Sequence, residues 1–224
     1  MIYFGNLGMD YLIIFISIGI TLLAQVFIST TYSKYKKINT KEKKTGFEVA
    51  RQILDENGLQ DIYVVETGGN LSDHYDPRRK TIRLSKDIFH GTTIAANAVA
   101  AHEVGHALQY KDGYTPIKIR NAILPLANFG SKTGYIIILI SLFAGITDLL
   151  WFGIILIGFM LLFQLITLPV EFNASKRAKI QLKKDKFLND GELNGASTML
   201  SAAAMTYVAS VLTAILEILR LVLI

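Results

Sequence analysis

Long apolar segments are the feature that most constrains how this 224-residue chain can fold. An uncharged run covers Tyr11–Ile28, and a second apolar block covers Thr133–Val170 with Asp148 as its only charged residue. A helix that crosses a ~30 Å hydrocarbon layer needs roughly 20 apolar residues, which is about the length of the first run. Because Asp10 precedes that run and no Lys or Arg does, a secretory signal peptide is disfavoured. The chain is therefore expected to be an integral membrane protein.

The second apolar block is too long for one span and is expected to fold as two helices joined by a turn. The first helix, Thr133–Ile146, is short but can be extended backwards through Leu126. The second, Leu149–Leu168, is long enough by itself to span. A last segment, Ala196–Ile224, is rich in Ala, Ser and Thr in its first half, which favours close helix packing. These segments predict about four transmembrane or membrane-associated helices.

Basic residues cluster after the first and the third of these helices and predict the orientation of the chain. The two clusters are Lys34, Lys36, Lys37, Lys41, Lys43 and Lys44, and Lys176, Arg177, Lys179, Lys183, Lys184 and Lys186. Because cytoplasmic segments collect Lys and Arg, both clusters are expected on the cytoplasmic side of the cell (inner) membrane. The N-terminus would then lie outside, and the segments 30–120 and 171–195 would share one compartment.

The composition excludes several kinds of site. The chain has no cysteine, so disulfides, thiol nucleophiles and thiolate zinc sites are excluded, and a metal would need His, Asp or Glu. With 51% hydrophobic and 18% charged residues, the chain does not have the composition of a disordered protein. Its net charge is +5, but the Lys and Arg residues gather beside apolar runs. No nucleic-acid partner is therefore expected.

A polar stretch of roughly 90 residues separates the first two apolar regions and is long enough for one small domain. Thr45 is expected to cap a helix over Gly46–Asn57 that stops at Gly58. Short strands are predicted at Ile62–Glu66, Leu71–Tyr75 and Thr81–Leu84, with turns at Gly68-Gly69-Asn70 and Asp76-Pro77. A further helix, starting at Ser85 or at Thr92 to Thr93, is expected to run to about Tyr110 and end at Asp112-Gly113.

That last helix contains the pentapeptide His102-Glu103-Val104-Gly105-His106, an HExxH pattern. Residues four apart lie one turn above each other on a helix, so His102 and His106 can bind one Zn²⁺. Glu103 flanks the metal without ligating it and can act as a general base. The surrounding residues are uncharged, and a buried Glu between two His is costly without a nearby cation. The sequence therefore predicts a zinc site on this helix.

A catalytic zinc site needs a third protein ligand, and several residues are candidates. Asp112 has the spacing of the longer HExxHxxGxxH pattern, but Gln109 stands where that pattern needs Gly. His74 and His90 are further alternatives. Glu171 is the preferred candidate because it directly follows the third apolar helix and the small residues after it would allow close approach to the HExxH helix. A carboxylate at a membrane boundary also needs a cationic partner.

Several motifs together resemble one known family. They are Leu71-Ser72-Asp73-His74-Tyr75-Asp76-Pro77, Leu84-Ser85, Ala100-Ala101-His102-Glu103-Val104-Gly105-His106-Ala107 and Leu168-Pro169-Val170-Glu171-Phe172-Asn173-Ala174-Ser175. Over nearly its whole length the chain resembles the YugP-like neutral zinc metallopeptidases of bacterial membranes. The resemblance implies a membrane-bound gluzincin, more distantly similar to HtpX and CAAX proteases, with His102, His106 and Glu171 as zinc ligands and Glu103 as catalytic base. Asn173 departs from the family pattern, which has an acidic residue there, so the partner of a ligating histidine is not identified.

The expected fold is a mainly α integral membrane protein with about four transmembrane or membrane-associated helices and a small α+β zincin-like cytoplasmic catalytic domain. The expected segments are an N-terminal transmembrane helix (1–29), the zincin-like domain with the HExxH helix (30–120), a transmembrane helical hairpin (121–170), a cytoplasmic helix carrying the third ligand (171–195) and a C-terminal hydrophobic helix (196–224).

The expected function is that of a membrane-bound zinc metalloendopeptidase, in which zinc activates a water molecule and Glu103 moves its proton. His74, Tyr75 and Arg177 are candidate donors to the developing oxyanion. An extended peptide or membrane-protein substrate could pair with an exposed strand edge at Leu71–Tyr75 or Thr81–Leu84. The alternatives are a non-enzymatic membrane scaffold with a structural zinc site and a hydrolase that acts on a lipidated substrate.

Overall fold

A computed structural model describes residues 7–69 and 72–223. The predicted turn residue Asn70, the predicted strand residue Leu71 and the last residue of the C-terminal segment, Ile224, lie outside these residues. In chain order the elements are α1 (Leu7–Tyr35), α2 (Gly46–Glu56), β1 (Tyr63–Thr67), β2 (His74–Asp76), β3 (Thr81–Ser85), α3 (Lys86–Phe89), α4 (Ile94–Lys111), α5 (Thr115–Ala144), α6 (Thr147–Lys184) and α7 (Asp190–Leu223). The protein is mostly helical with one small sheet.

Among the described residues, four helices are long and apolar enough to cross a membrane, which agrees with the predicted number. They are Gly8–Tyr35, Thr115–Ala144, Thr147–Lys184 and Asp190–Leu223. Helix α5 begins well before Leu126. Its start at Thr115 was missed because the polar residues in its first turns hide the helix from the hydropathy pattern. Pro116 is compatible with this start, since proline fits the first turn of a helix. Helix α6 continues through Pro169 without a break, so Glu171 is a helical residue.

The chain divides into two compact units. The helical unit comprises the described residues of Met1–Gln25, Thr115–Pro169 and Met205–Ile224, and the α+β unit comprises Val26–Tyr114 and Val170–Ala204.

In the helical unit, α5 and α6 form a tight antiparallel pair. Gly145 turns the chain between them with φ +69°, a left-handed conformation that Gly adopts without steric cost. A Cβ added at Gly130 would lie 2.3 Å from the backbone oxygen of Leu156, and one at Gly134 would lie 2.9 Å from that of Gly153. Small residues thus allow the two backbones to pack closely.

The sheet of the α+β unit has the strand order β1-β3-β2, with β1 parallel and β2 antiparallel to β3. Tyr63 pairs with Thr81 in the parallel ladder, and Tyr75 pairs with Ile82 in the antiparallel one. The suggestion that Thr81–Leu84 offers an exposed strand edge is wrong, because β3 is the central strand and both of its ladders are occupied. Strand β2 lies at an edge of the sheet.

Helices α2 and α4 supply most of the core of this unit. Thr45 and Glu48 form a capping box at the start of α2, as the sequence indicated for Thr45, with Glu48 N–H donating to Thr45 Oγ1 over 3.2 Å. Thr93 caps α4, and Gly113, with φ +65°, follows its end. The buried core joins side chains of α2, the sheet, α4 and the 170–204 segment, among them Ile53, Leu84, Val104, Leu182, Phe187 and Leu200. Helix α4 is consequently held on several sides.

Candidate metal centre

The two histidines of the HExxH pentapeptide lie one helical turn apart on α4. Their ring centroids are 4.8 Å apart, and the rings stand nearly perpendicular at 85°. Both side chains keep a small exposed fraction, 16% for His102 and 13% for His106. The two histidines therefore lie on the partly exposed face of a largely buried helix and can be reached from solvent.

Glu171 comes to this pair from α6. Its Oε2 lies 3.3 Å from His102 Nε2 and 3.6 Å from His106 Nε2. Together the three residues form the only group of three or more His, Cys, Asp or Glu among the described residues whose ligand atoms all lie within 4.8 Å of one another. The Glu171 residue is only 3% exposed. A carboxylate buried to this degree is stable only beside positive charge or a metal ion.

A glycine makes this approach of α6 to α4 possible. A Cβ added to Gly105 would lie 2.5 Å from the backbone oxygen of Ala174. Ala174 is three residues after Glu171 on the same helix, so the contact at Gly105 sets how near the carboxylate comes to the histidines. The small residues after Glu171 had suggested this close packing.

The ring nitrogens that do not face Glu171 have their own partners. His102 Nδ1 lies 3.2 Å from Ser175 Oγ, and His106 Nδ1 lies 3.1 Å from Gln109 Oε1. Gln109 Nε2 donates to Val170 O over 2.7 Å and to Asn173 Oδ1 over 3.1 Å. Because both amide hydrogens are used in this way, Gln109 Oε1 must accept a hydrogen bond, and His106 Nδ1 must carry a proton. In the neutral ring, His106 Nε2 then carries the lone pair that a metal ligand needs.

These two partners were not identified from the sequence. Gln109 follows His106 by three residues and Ser175 follows Glu171 by four, so helical spacing places each of them one turn from the centre. Gln109 had been considered only as a mismatch to the longer zinc pattern. Asn173, which departs from the family pattern, is not itself the partner of a histidine, because its Oδ1 accepts a hydrogen bond from Gln109 Nε2.

Arg177 extends this arrangement away from the histidines. Its Nε donates to Asn173 Oδ1 over 2.8 Å, and its Nη1 pairs with the Asp112 carboxylate just after α4. Asp112 is thus engaged with Arg177 and is not part of the His–His–Glu group. The guanidinium that the sequence suggested as an oxyanion donor is bonded to Asn173 and Asp112.

Glu103 is buried, with 7% exposure, and among the described residues it forms no ion pair. Burial alone lowers the pKa of His106, but its hydrogen bond with Glu171 and the charges of Glu103 and Glu171 outweigh burial and raise that pKa. Glu103 is therefore close enough to act electrostatically on the histidine pair. It is a carboxylate held beside the centre without being one of its three converging groups.

The other suggested residues lie elsewhere in the α+β unit. His74 is an exposed residue of β2, and its Nδ1 lies 2.7 Å from Ser72 O. Tyr75 follows it, and its ring packs edge-on against Tyr110 of α4 at 5.6 Å between centroids. Burial raises the pKa of Tyr75 to about 12. His90, an alternative third ligand, pairs with Glu66 over 2.7 Å. Of the four candidates for a third ligand, the structure brings only Glu171 to His102 and His106.

The donor set fits zinc. Two imidazoles and one carboxylate are the protein ligands of open catalytic zinc sites, whereas closed structural sites usually recruit cysteine. Here Nε2 of His102, Nε2 of His106 and Oε2 of Glu171 converge, and the Nδ1 atoms are held by other groups. These three residues could therefore hold a zinc ion without rearranging the hydrogen bonds around them.

Comparison with known proteins agrees with this chemistry. A family model described as "Putative neutral zinc metallopeptidase" matches residues 10–224. The "Putative membrane protease YugP" of Bacillus subtilis (strain 168) is 44% identical over 208 residues, which make up 93% of this chain and 92% of that protein. No solved structure matches the chain. The family match covers the His–His–Glu group and, apart from the first two residues of Gly8–Tyr35, the described helices that could span a membrane, and the chain therefore belongs to the YugP-like family of neutral zinc metallopeptidases.

Proposed function

We propose that this protein is a membrane-bound zinc endopeptidase with His102, His106 and Glu171 as metal ligands and Glu103 as general base. The observation that carries the proposal is the convergence of three possible ligand atoms, from two imidazoles and one buried carboxylate, within 4.8 Å of one another, beside a second buried carboxylate, that of Glu103. When bound there, zinc would supply a Lewis acid that polarises a carbonyl group and makes water a better nucleophile.

The residues of the chain perform the remaining steps. Glu103 accepts a proton from the attacking water and delivers it to the leaving amine, which is general base and then general acid catalysis. Gln109 and Ser175 hold the two imidazoles in one orientation and keep their Nε2 atoms directed at the metal.

His74 and Tyr75 are proposed donors to the developing oxyanion. They lie on β2, an edge strand that packs against α4 through the contact of Tyr75 with Tyr110. Because burial raises the pKa of Tyr75 to about 12, its phenol keeps its proton at neutral pH and can donate it in a hydrogen bond. An extended peptide that pairs with β2 would supply the substrate backbone.

The reaction can be tested with matched glutamate variants of the purified full-length protein. Glu103→Gln should keep the metal and lose turnover of an unfolded casein substrate by about 10² to 10⁴-fold. Glu171→Ala should lose the metal as well. Glu42→Gln, at an exposed position outside the centre, is the control and should match wild type. Equal, chelator-insensitive cleavage by all four proteins would exclude the proposed site, whereas metal retained with no hydrolysis by wild type would favour a structural zinc scaffold.

We also propose that the α+β unit lies on the cytoplasmic side of the cell membrane. The Lys and Arg clusters that follow α1 and the apolar part of α6 support this orientation. Since the chain has no cysteine, single-cysteine variants can test it directly. A membrane-impermeant maleimide should label Ile146→Cys, at the exposed turn between α5 and α6, in intact cells. It should label the exposed Glu42→Cys only after lysis, and the reverse pattern would refute the orientation.

A further inference from the structure

A cavity that the proposed hydrolysis does not use lies in the α+β unit, and its lining includes none of the residues of the His–His–Glu group. Its volume is about 530 Å³, within the size range of small-molecule sites. Its walls include Tyr32 and Lys36 at the end of α1, Lys86 and His90 at the two ends of α3, and Thr93 at the start of α4. None of these residues has a role in the proposed hydrolysis.

The cavity carries cationic groups that can be recruited by a ligand. Lys36 Nζ lies 3.0 Å from Asp87 Oδ2, but the two side chains are 47% and 55% exposed. An ion pair as exposed as this contributes little, so Lys36 can exchange its partner for a bound anion. Within the described parts of the chain, the Lys86 ammonium has no hydrogen bond or ion pair. The lining lysines outnumber the one lining carboxylate, Asp87.

The position of the cavity along the chain indicates which anion it meets. The apolar run of α1 ends at Ile28, and Tyr32 and Lys36 lie one and two helical turns further along the chain. Lys34 lies between them in the sequence, and Lys37 follows. Tyrosine followed by lysines at the end of a span is typical of the interface between the hydrocarbon layer and water, where lipid phosphates lie.

We propose that this cavity binds the phosphate headgroup of an anionic phospholipid. The ammonium groups of Lys36 and Lys86 donate hydrogen bonds to the phosphate oxygens, and Tyr32 provides an aromatic wall at headgroup depth. Thr93, which caps α4 by accepting a hydrogen bond from Ala96 N–H, forms part of the floor. A bound headgroup would thus contact the first turn of the helix that carries His102 and His106.

The test measures binding of dioleoyl phosphatidylglycerol, with dioleoyl phosphatidylcholine as the neutral reference, to the full-length protein by native mass spectrometry. The variant K36Q/K86Q should lose about fivefold in affinity for each lysine. K34Q/K37Q is the control, because it removes the same number of positive charges at positions next to Lys36 in the chain, neither of which lines the cavity, and it should stay within about twofold of wild type. Asp87→Asn should raise the affinity, since it removes the carboxylate that competes for Lys36.

The gain expected for Asp87→Asn keeps the proposal testable even if a lysine variant folds poorly. Equal losses in the two double variants would overturn the proposal, because they would show unspecific attraction of the lipid by the basic cluster. Displacement of phosphatidylglycerol by glycerol phosphate at similar concentration would also overturn it, since the cavity would then be a site for soluble phosphates. Unchanged affinity in Asp87→Asn would exclude Lys36 as a phosphate ligand.

Discussion

Gly105 of α4 packs directly against the backbone of Ala174 of α6, so closely that a Cβ on Gly105 would lie 2.5 Å from the Ala174 oxygen. The glycine of the HExxH pentapeptide is therefore a point of close contact between the two helices that carry the His–His–Glu group. Its lack of a side chain allows Glu171 Oε2 to come within 3.3 Å of His102 Nε2.

Gly105→Ala should push α4 and α6 apart and weaken the metal site. Overpacking a buried contact costs about 1 to 3 kcal/mol, and we expect metal affinity to fall at least about tenfold as the carboxylate withdraws. Metal affinity is measured by competition with a chromophoric chelator, and stability by thermal unfolding without metal. Gly158→Ala is the control, because it is also a helical glycine but has nothing within 4 Å of the added Cβ. The same metal affinity in both variants would contradict the proposed contact.

Gln109 should influence the metal through His106. Gln109→Met removes the acceptor for His106 Nδ1–H, and loss of such a partner typically weakens metal binding about 10 to 100-fold. Gln109→Glu keeps an acceptor there and should stay close to wild type in metal affinity. Both variants lose the hydrogen bonds to Val170 O and Asn173 Oδ1, so both should be destabilised without metal, and Gln109→Glu by more because its carboxylate faces these two oxygens. If metal affinity falls equally in both, Gln109 acts only through stability.

Arg177 should stabilise the packing of α6 against the end of α4 rather than donate a hydrogen bond to the oxyanion. Its guanidinium bonds to Asn173 and Asp112, so Arg177→Met and Asp112→Asn should each change stability by about 1 kcal/mol or less and be non-additive when combined. The measurement is a double-mutant cycle by unfolding, with kcat determined for each variant. A loss of about 10² to 10³-fold in kcat for Arg177→Met with metal retained would instead identify it as a donor.

Asp185, just after α6, should make the protein less stable as the pH rises towards neutral. Its side chain is 3% exposed, and burial together with the neighbouring Glu56 raises the pKa of Asp185 to about 6. Because its ordinary pKa is lower, the folded state binds the proton more tightly, and this stabilisation is lost as the pH rises through about 6. Asp185→Asn should therefore raise the unfolding temperature at pH 7.5 by about 2 to 4 °C, and by much less at pH 4. An equal gain at both pH values would refute a titration effect.

The linear sequence was sufficient to predict the apolar helices that could span a membrane, the capped helix at Gly46 and the HExxH pentapeptide. Each of these depends on a local pattern: apolar length, a capping residue, or a spacing of four on one helix. The number of helices that could span a membrane agrees with that prediction. The start of α5 was missed because its first turns are polar and carry no hydropathy signal.

Only the tertiary structure decided which distant side chains meet. Asp112, His74 and His90 were open alternatives to Glu171, and the separation along the chain does not distinguish them, because the contact between α4 and α6 depends on how the whole core packs. The same packing brings Gln109 to Val170 and Asn173, and Asp112 to Arg177. It also makes β3 the central strand, since strand order follows from long-range pairing rather than from local alternation. Residue type and helical spacing thus indicated a metal site at His102 and His106, whereas the approach of Glu171 to these histidines depends on the packing of the core.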